Sequence, residues 1–286
     1  MKKLHLIAGL PRSGSTLLCN LLNMNKKFHA TPTSYTIDML RNMRSTFSHN
    51  VTAKTHNRLE ELESMRMGMK GFLEGFYHDK DVVFDKCRGW TANIQLLDKI
   101  LGHNDTKIIW TYRDPVEVVS SVEKRYQDTL LLENADEGAG GNFGTLDARI
   151  NNFINDGGIV ASPVWLLDDA FKQGYGDRIL IVRYWDLTNN PQKTLERIHD
   201  FLGEDSYQYD ANDFKDLKQS SEEFDGLYNY KFMHKIKEGE VTYKKHDVNL
   251  PQDIIEKINL RFAWVNAMAF GGEENVPQHM KPKQMG

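Results

Sequence analysis

Apolar positions in this chain fall into two alternating patterns. Short runs, Leu4 to Ala8, Val82 to Asp85, Lys107 to Tyr112 and Arg178 to Tyr184, are almost continuously hydrophobic. Runs of that length and kind read as strands buried on both faces. Between them lie longer segments with apolar residues three and four apart: Leu17 to Asn23, Ile94 to Leu101, Pro115 to Tyr126, Val164 to Gln173 and Pro191 to Leu202. These read as helices. Strands alternating with helices predict an α/β fold of three layers, a central and mainly parallel sheet flanked by helices.

Two insertions interrupt the alternation. Residues 34–79 carry helical patterns rich in Met, Arg and Glu, with a stripe formed by Leu59, Leu62, Met65, Met69, Phe72 and Phe76. Residues 127–160 include the glycines Gly138, Gly140, Gly141 and Gly144. Both are expected to be lids or acceptor-binding walls, while residue by residue the Met and Phe stripe reads first as ordinary helix core. Residues 1–270 are expected to form one domain, and the polar stretch 271–286, with Pro277 and Pro282, is expected to fray.

Composition narrows the function classes. Lys and Arg number 36 against 40 Asp and Glu, a formal net charge of -4, with a pI near 6.2. That balance does not suit a protein built to neutralise a nucleic-acid backbone. No apolar run approaches the ~18 residues of a membrane span, and the apolar start stops at Pro11-Arg12, so no membrane contact is expected. Cys19 and Cys87 lie far apart without His or Cys at ligand spacing, which predicts packing roles, no disulfide, no zinc and a reducing cytoplasm.

In parallel α/β sheets ligands bind beyond the carboxyl ends of the strands. Here those ends are polar and basic: Pro11 to Thr16, Lys86-Cys87-Arg88, Arg113-Asp114-Pro115 and Trp185-Asp186. The first of them, Gly9-Leu10-Pro11-Arg12-Ser13-Gly14-Ser15-Thr16, falls between a strand and a helix, where backbone NH groups form an anion cradle. It has the frame of a Walker A phosphate loop, but Ser15 stands in place of the lysine and a cation comes earlier, as Arg12.

Leu10 to Leu18 resembles the 5′-phosphosulfate loop of sulfotransferases that use 3′-phosphoadenosine 5′-phosphosulfate (PAPS). Tyr112-Arg113-Asp114-Pro115 with Ser121, two helical turns on, resembles the 3′-phosphate element of the same family. Val182 to Leu187, followed by Asn190-Pro191 and Phe201-Leu202-Gly203, is similar to its next strand, loop and helix. Phe232 to Gly239 resembles its basic late loop. The resemblance implies a phosphate-loop fold and PAPS as co-substrate, with 3′-phosphoadenosine 5′-phosphate (PAP) as product and no metal. It places Arg12, Ser13, Gly14, Ser15 and Thr16 on the 5′ side, Arg113, Ser121, Lys235 and Lys237 on the 3′-phosphate, and Tyr184 near the adenine.

Sulfuryl transfer is expected to run in line through a loose transition state, so catalysis should rest on positioning and electrostatics. Arg12 and Lys86 are the candidate cations. Lys86 resembles the family's lysine at the end of the second strand, with Cys87 and Arg88 in place of its usual companions. No glutamate or histidine stands in the family's register for the acceptor base. His29, Asp38 and Asp85 are the candidates, with Asp85 ranked first for its fixed place beside Lys86. A small-molecule or glycan hydroxyl or amine is the expected acceptor. The alternatives are a phosphate-loop kinase, which needs the missing lysine, or a catalytically inactive nucleotide-binding protein.

Overall fold

Strand β1 (Lys3–Gly9) occupies the middle of the sheet because both of its faces are apolar. Leu4, Leu6 and Ala8 point into one core and Ile7 into another, and every residue from Leu4 to Gly9 is buried. The computed structural model describes residues 3–57, 59–128, 144–210, 241–243 and 245–282. Among these, five strands form one wholly parallel sheet in the order β2-β3-β1-β4-β5, with β2 at Phe28–Thr31, β3 at Val82–Lys86, β4 at Ile108–Tyr112 and β5 at Ile179–Arg183. The three-layer α/β architecture is as the pattern predicts.

Helices cover both faces. On one side pack α1 (Ser15–Leu22) and α9 (Pro191–Leu202). The other side carries α4 (Ile94–Leu101), α5 (Pro115–Asp128), α6 (Leu146–Ile154) and α7 (Ala161–Lys172), together with α10 (Gln252–Arg261) and α11 (Ala263–Phe270), around the fully buried Trp90 and Trp110. A short α8 (Tyr184–Asn189) follows β5 directly, so Tyr184 opens a helix instead of closing a strand.

The insertion at 34–79 folds into α2 (Thr36–His49) and α3 (Leu62–Phe76). Its stripe divides: Met69 is core, as is the neighbouring Leu73, Met65 and Phe72 are partly covered, and Leu59, Leu62 and Phe76 are exposed. The other insertion contributes α6, while Gly138, Gly140 and Gly141 lie outside the described residues. One expectation needs correction. Residues 271–282 do not fray, because Val276 and Met280 are buried in the core and Asn259 Nδ2 donates to the His279 carbonyl at 2.9 Å.

Strand register sets out the functional edge. Gly9 lies opposite Thr111, Ile7 opposite Lys86, Thr31 opposite Asp85 and Tyr112 opposite Arg183. The carboxyl ends of all five strands therefore open on one rim, with the β1–α1 loop at its centre.

Candidate active site

The loop after β1 is built by backbone that most side chains would obstruct. At Gly9, φ is 133° and a Cβ would come 2.3 Å from the Thr111 carbonyl oxygen. The chain then passes through Arg12 at φ 59°, the one non-glycine with positive φ among the described residues, and through Gly14 at φ 85°. Left-handed backbone at a side-chain-bearing residue costs about 1–2 kcal/mol, and such strain concentrates where function requires a shape.

Ser13 locks the turn from inside. Its Oγ donates to the Leu10 carbonyl at 2.5 Å and lies 2.6 Å from Thr111 Oγ1, while Leu10 N donates to the Thr111 carbonyl at 3.0 Å. The buried Ser13 hydroxyl thus braces the loop against β4, leaving Ser13 only its backbone to offer a ligand. Gly14 caps α1 without a side-chain hydrogen bond. The first NH groups of the helix, and the half-exposed hydroxyls of Ser15 and Thr16, therefore face the rim in the manner of an anion site.

The second basic segment stands beside the first. Arg113 leaves the end of β4, its Nε donates to Glu117 Oε2 at 2.7 Å, and its guanidinium lies 4.5 Å from the centre of the Tyr184 ring. Arg113 Nη1 also donates to the Arg12 carbonyl at 3.3 Å, which ties the two basic segments together. Tyr184 in turn packs against Gly14 so closely that a Cβ there would sit 2.6 Å from its Cδ2. Ser121 is buried two turns along α5, on the helix face that carries Glu117. Arg12, Ser13, Gly14, Arg113 and Tyr184 are thereby brought together; Lys235 and Lys237 lie outside the described residues.

Sequence patterns did not mark the members that hold these groups in place. Thr111 braces Ser13, Glu117 orients Arg113, and Tyr243 donates its hydroxyl to Glu117 Oε1 at 2.7 Å while packing against Tyr184 and Trp185. Only the spacing of Arg113 and Glu117, one helical turn apart, could have shown the pair.

At the end of β3 the two neighbouring residues have opposite fates. Lys86 Nζ donates to the Pro32 carbonyl at 2.7 Å, which leaves two of its three N–H groups for other acceptors. Burial lowers the Lys86 ammonium from its ordinary range, and the charges of Arg88 and Arg12 act in the same direction. Asp85, by contrast, is wholly buried. It accepts from Ser34 Oγ at 2.8 Å, Tyr77 Oη at 2.6 Å, Trp90 Nε1 at 2.7 Å and Thr36 Oγ1. The ranking of Asp85 as acceptor base is therefore corrected: a carboxylate saturated by four donors and closed to solvent has no path to a substrate proton.

His29 is corrected for a different reason. It sits at the start of β2 against Tyr77, under the influence of Lys80 and Asp79, away from the rim. Asp38 remains. It is exposed in the first turn of α2, and its charge reaches Cys87, whose thiol is pushed up first by burial and then by the carboxylates of Asp85 and Asp38. Beside it stand the exposed Tyr35, Met39 and Phe76, with Tyr35 and Phe76 meeting edge to face at 5.7 Å. Cys19 is fully buried with its thiol pushed up to about 12, in keeping with a packing role. A groove of about 910 Å³ between α2, α3 and α4 has none of the β1–α1 loop residues, Lys86, Arg113 or Tyr184 on its walls.

A central parallel sheet with an uncapped glycine loop between β1 and α1 defines a phosphate-loop-like α/β protein. The sequence matches the family profile described as a sulfotransferase domain over residues 3–266, and the chain belongs to that family. Its fold is similar to the sulfotransferase domain from the curacin biosynthetic pathway (TM-score 0.57, 15% identity, covering 93% of this chain and 98% of that one). It is also similar to a sulfotransferase from Alicyclobacillus acidocaldarius (TM-score 0.51, 12% identity, 95% of each chain). No curated protein matches the chain in sequence. Among the described residues, no helix is long and apolar enough to cross a membrane.

Proposed function

We propose that this chain transfers the sulfuryl group of PAPS to a hydroxyl or amine, releasing PAP. The observation that carries the reading is the bond from Arg113 to the Arg12 carbonyl across the rim, with Tyr184 stacked on Arg113 and pressed against Gly14. Two anion-binding elements and one aromatic wall sit within a single contact network, which suits a nucleotide with phosphates on both sides of its ribose. The residues fit the donor: Gly14 keeps clear the space that a side chain would share with Tyr184, and α1 has no capping side chain to compete with an anion.

In this reading the loop NH groups and Arg12 hold the 5′-phosphosulfate, and Arg113 and Ser121 hold the 3′-phosphate. Lys86 donates to the oxygen that bridges phosphorus and sulfur. As the S–O bond to that bridge breaks, its negative charge grows, and an ammonium made more acidic by burial meets it. Asp38 takes the acceptor proton as the new S–O or S–N bond forms. Tyr35, Met39 and Phe76 supply an apolar wall for the body of a small-molecule or glycan acceptor. A cytoplasmic location is part of the proposal, supported by the free thiols of Cys19 and Cys87, which suit a reducing compartment.

The kinase alternative finds less support. Ser15 occupies the position of the loop lysine, and Asp85, the aspartate such an enzyme would turn toward magnesium, is saturated by four donors. Titration with PAP, with and without magnesium and beside ATP, tests the donor. Magnesium-independent PAP binding is expected, and Arg113→Ala should weaken it by roughly 10–100-fold, the value of a charge-assisted contact. Preference for magnesium-ATP, or no binding of PAP, would overturn the reading.

A further inference from the structure

Residues 245–250 lie along α5, held at two points. Ser120 Oγ donates to the Asp247 carbonyl at 3.3 Å, and Val248 and Leu250 pack on the core. Just ahead, Tyr243 is fixed by Glu117. His246 lies between these anchors, and its Nε2 is buried without a hydrogen-bond partner among the described residues. A buried ring nitrogen left unpaired is destabilising, so such an atom calls for an explanation. The ring meets the Ser120 backbone and stands within reach of the charges of Arg113, Glu117 and Lys124. Arg113 and Ser121 are the residues assigned to the 3′-phosphate, and the bond from Ser120 to Asp247 together with the nearby charge of Arg113 sets the buried, unpaired nitrogen beside that site.

We propose that His246 is a further ligand of the donor's 3′-phosphate, engaging it through Nε2 as an imidazolium and making donor and product affinity pH-dependent. The inference rests on the PAPS reading above. Without ligand, burial and then Arg113 hold the imidazole below its ordinary pKa, with Lys124 acting the same way. The Ser120 backbone and Glu117 oppose them and do not prevail. Near neutral pH the ring is therefore uncharged. With Nδ1 turned to the Ser120 backbone, Nε2 carries a lone pair, which a phosphate oxygen cannot bond. Binding must bring a proton from solvent onto Nε2, where it becomes the donor to the phosphate.

The test is calorimetric titration of the full chain with PAP between pH 6 and pH 8, in two buffers of different ionisation enthalpy. Adenosine 5′-phosphate, which lacks the 3′ group, is run in parallel. Wild type should take up protons on binding PAP and bind it more tightly toward pH 6.5. A phosphate losing its own second proton would release protons instead, so the sign separates the two sources. His246→Gln should abolish the uptake and weaken PAP roughly 10–100-fold at pH 6.5. Its affinity for adenosine 5′-phosphate should stay at the wild-type value, which also certifies folding. Unchanged PAP affinity and proton uptake in His246→Gln would overturn the role of His246 while leaving the donor assignment standing. Failure of the wild type to bind PAP at any pH would remove the donor assignment itself.

Discussion

At the scale of single residues, the site depends on one position without a side chain. Gly14 has φ 85°, and its α-hydrogen faces the ring of Tyr184. Gly14→Ala would force an unfavourable backbone and drive a methyl group to 2.6 Å from Tyr184 Cδ2. Tyr184 would have to leave Arg113. The expected result is a loss of about 1–2 kcal/mol in stability and at least a tenfold fall in PAP affinity, read by thermal unfolding and calorimetry. Wild-type affinity in this variant would show that the Tyr184 wall is not part of the donor site.

Asp85 and Asp38 form a second residue-scale contrast. Asp85→Ala would leave the buried Tyr77 hydroxyl and Trp90 indole without an acceptor, and Ser34 and Thr36 with only each other, and should cost about 3 kcal/mol in urea unfolding. Asp38→Asn is exposed and should unfold like wild type, yet lose turnover by about 10²-fold or more if it removes the acceptor proton. Normal turnover in Asp38→Asn would move the base elsewhere. Sequence alone could not separate these two aspartates. Asp85 follows an apolar run and precedes a lysine, just as a catalytic carboxylate would, and its four donors come from Ser34, Thr36, Tyr77 and Trp90, distant positions that only folding assembles.

At the scale of elements, what was legible is what is locally determined. The central strands are apolar on both faces, so their runs stand out, and the helices between them keep a clear spacing of three and four. Pro115 and Pro191 even mark the first turns of α5 and α9. Strand β2 escaped because it is an edge strand of four residues that alternates Phe28 and Ala30 with His29 and Thr31. Its identity comes from pairing with β3, not from its own composition. The β1–α1 loop was readable for the opposite reason, since its glycines and position between strand and helix are dictated by backbone geometry. Glu117 and Tyr243 were not, because orienting residues carry no motif of their own.

At the scale of the whole molecule, one buried group sets a limit on acid stability. His5, on the central strand, is buried with neither ring nitrogen hydrogen-bonded among the described residues, and burial lowers its pKa to about 4. The folded protein therefore keeps His5 neutral while the unfolded chain takes up a proton below about pH 6.5. This contribution is fully present above that pH and is lost as pH falls toward 4, by about 3 kcal/mol. Denaturant unfolding from pH 7.5 to 4.5 should show the loss, and His5→Leu should remove this part of it. An identical pH dependence in the variant would assign the acid sensitivity to other groups.

The saturation of Asp85 has a consequence for how such a protein diversifies. Ser34 and Thr36 stand where the helical insertion leaves the sheet, and Tyr77 stands where it returns. One carboxylate thus clasps both ends of a long excursion, like the hasp on a removable panel. Mutations between the clasped ends are expected to alter the surface that α2 and α3 present without transmitting strain to the β1–α1 loop. The molecule is thereby divided into a sheet with its rim and a helical excursion clasped at both ends, and under the proposed function acceptor preference would change by remodelling the excursion alone.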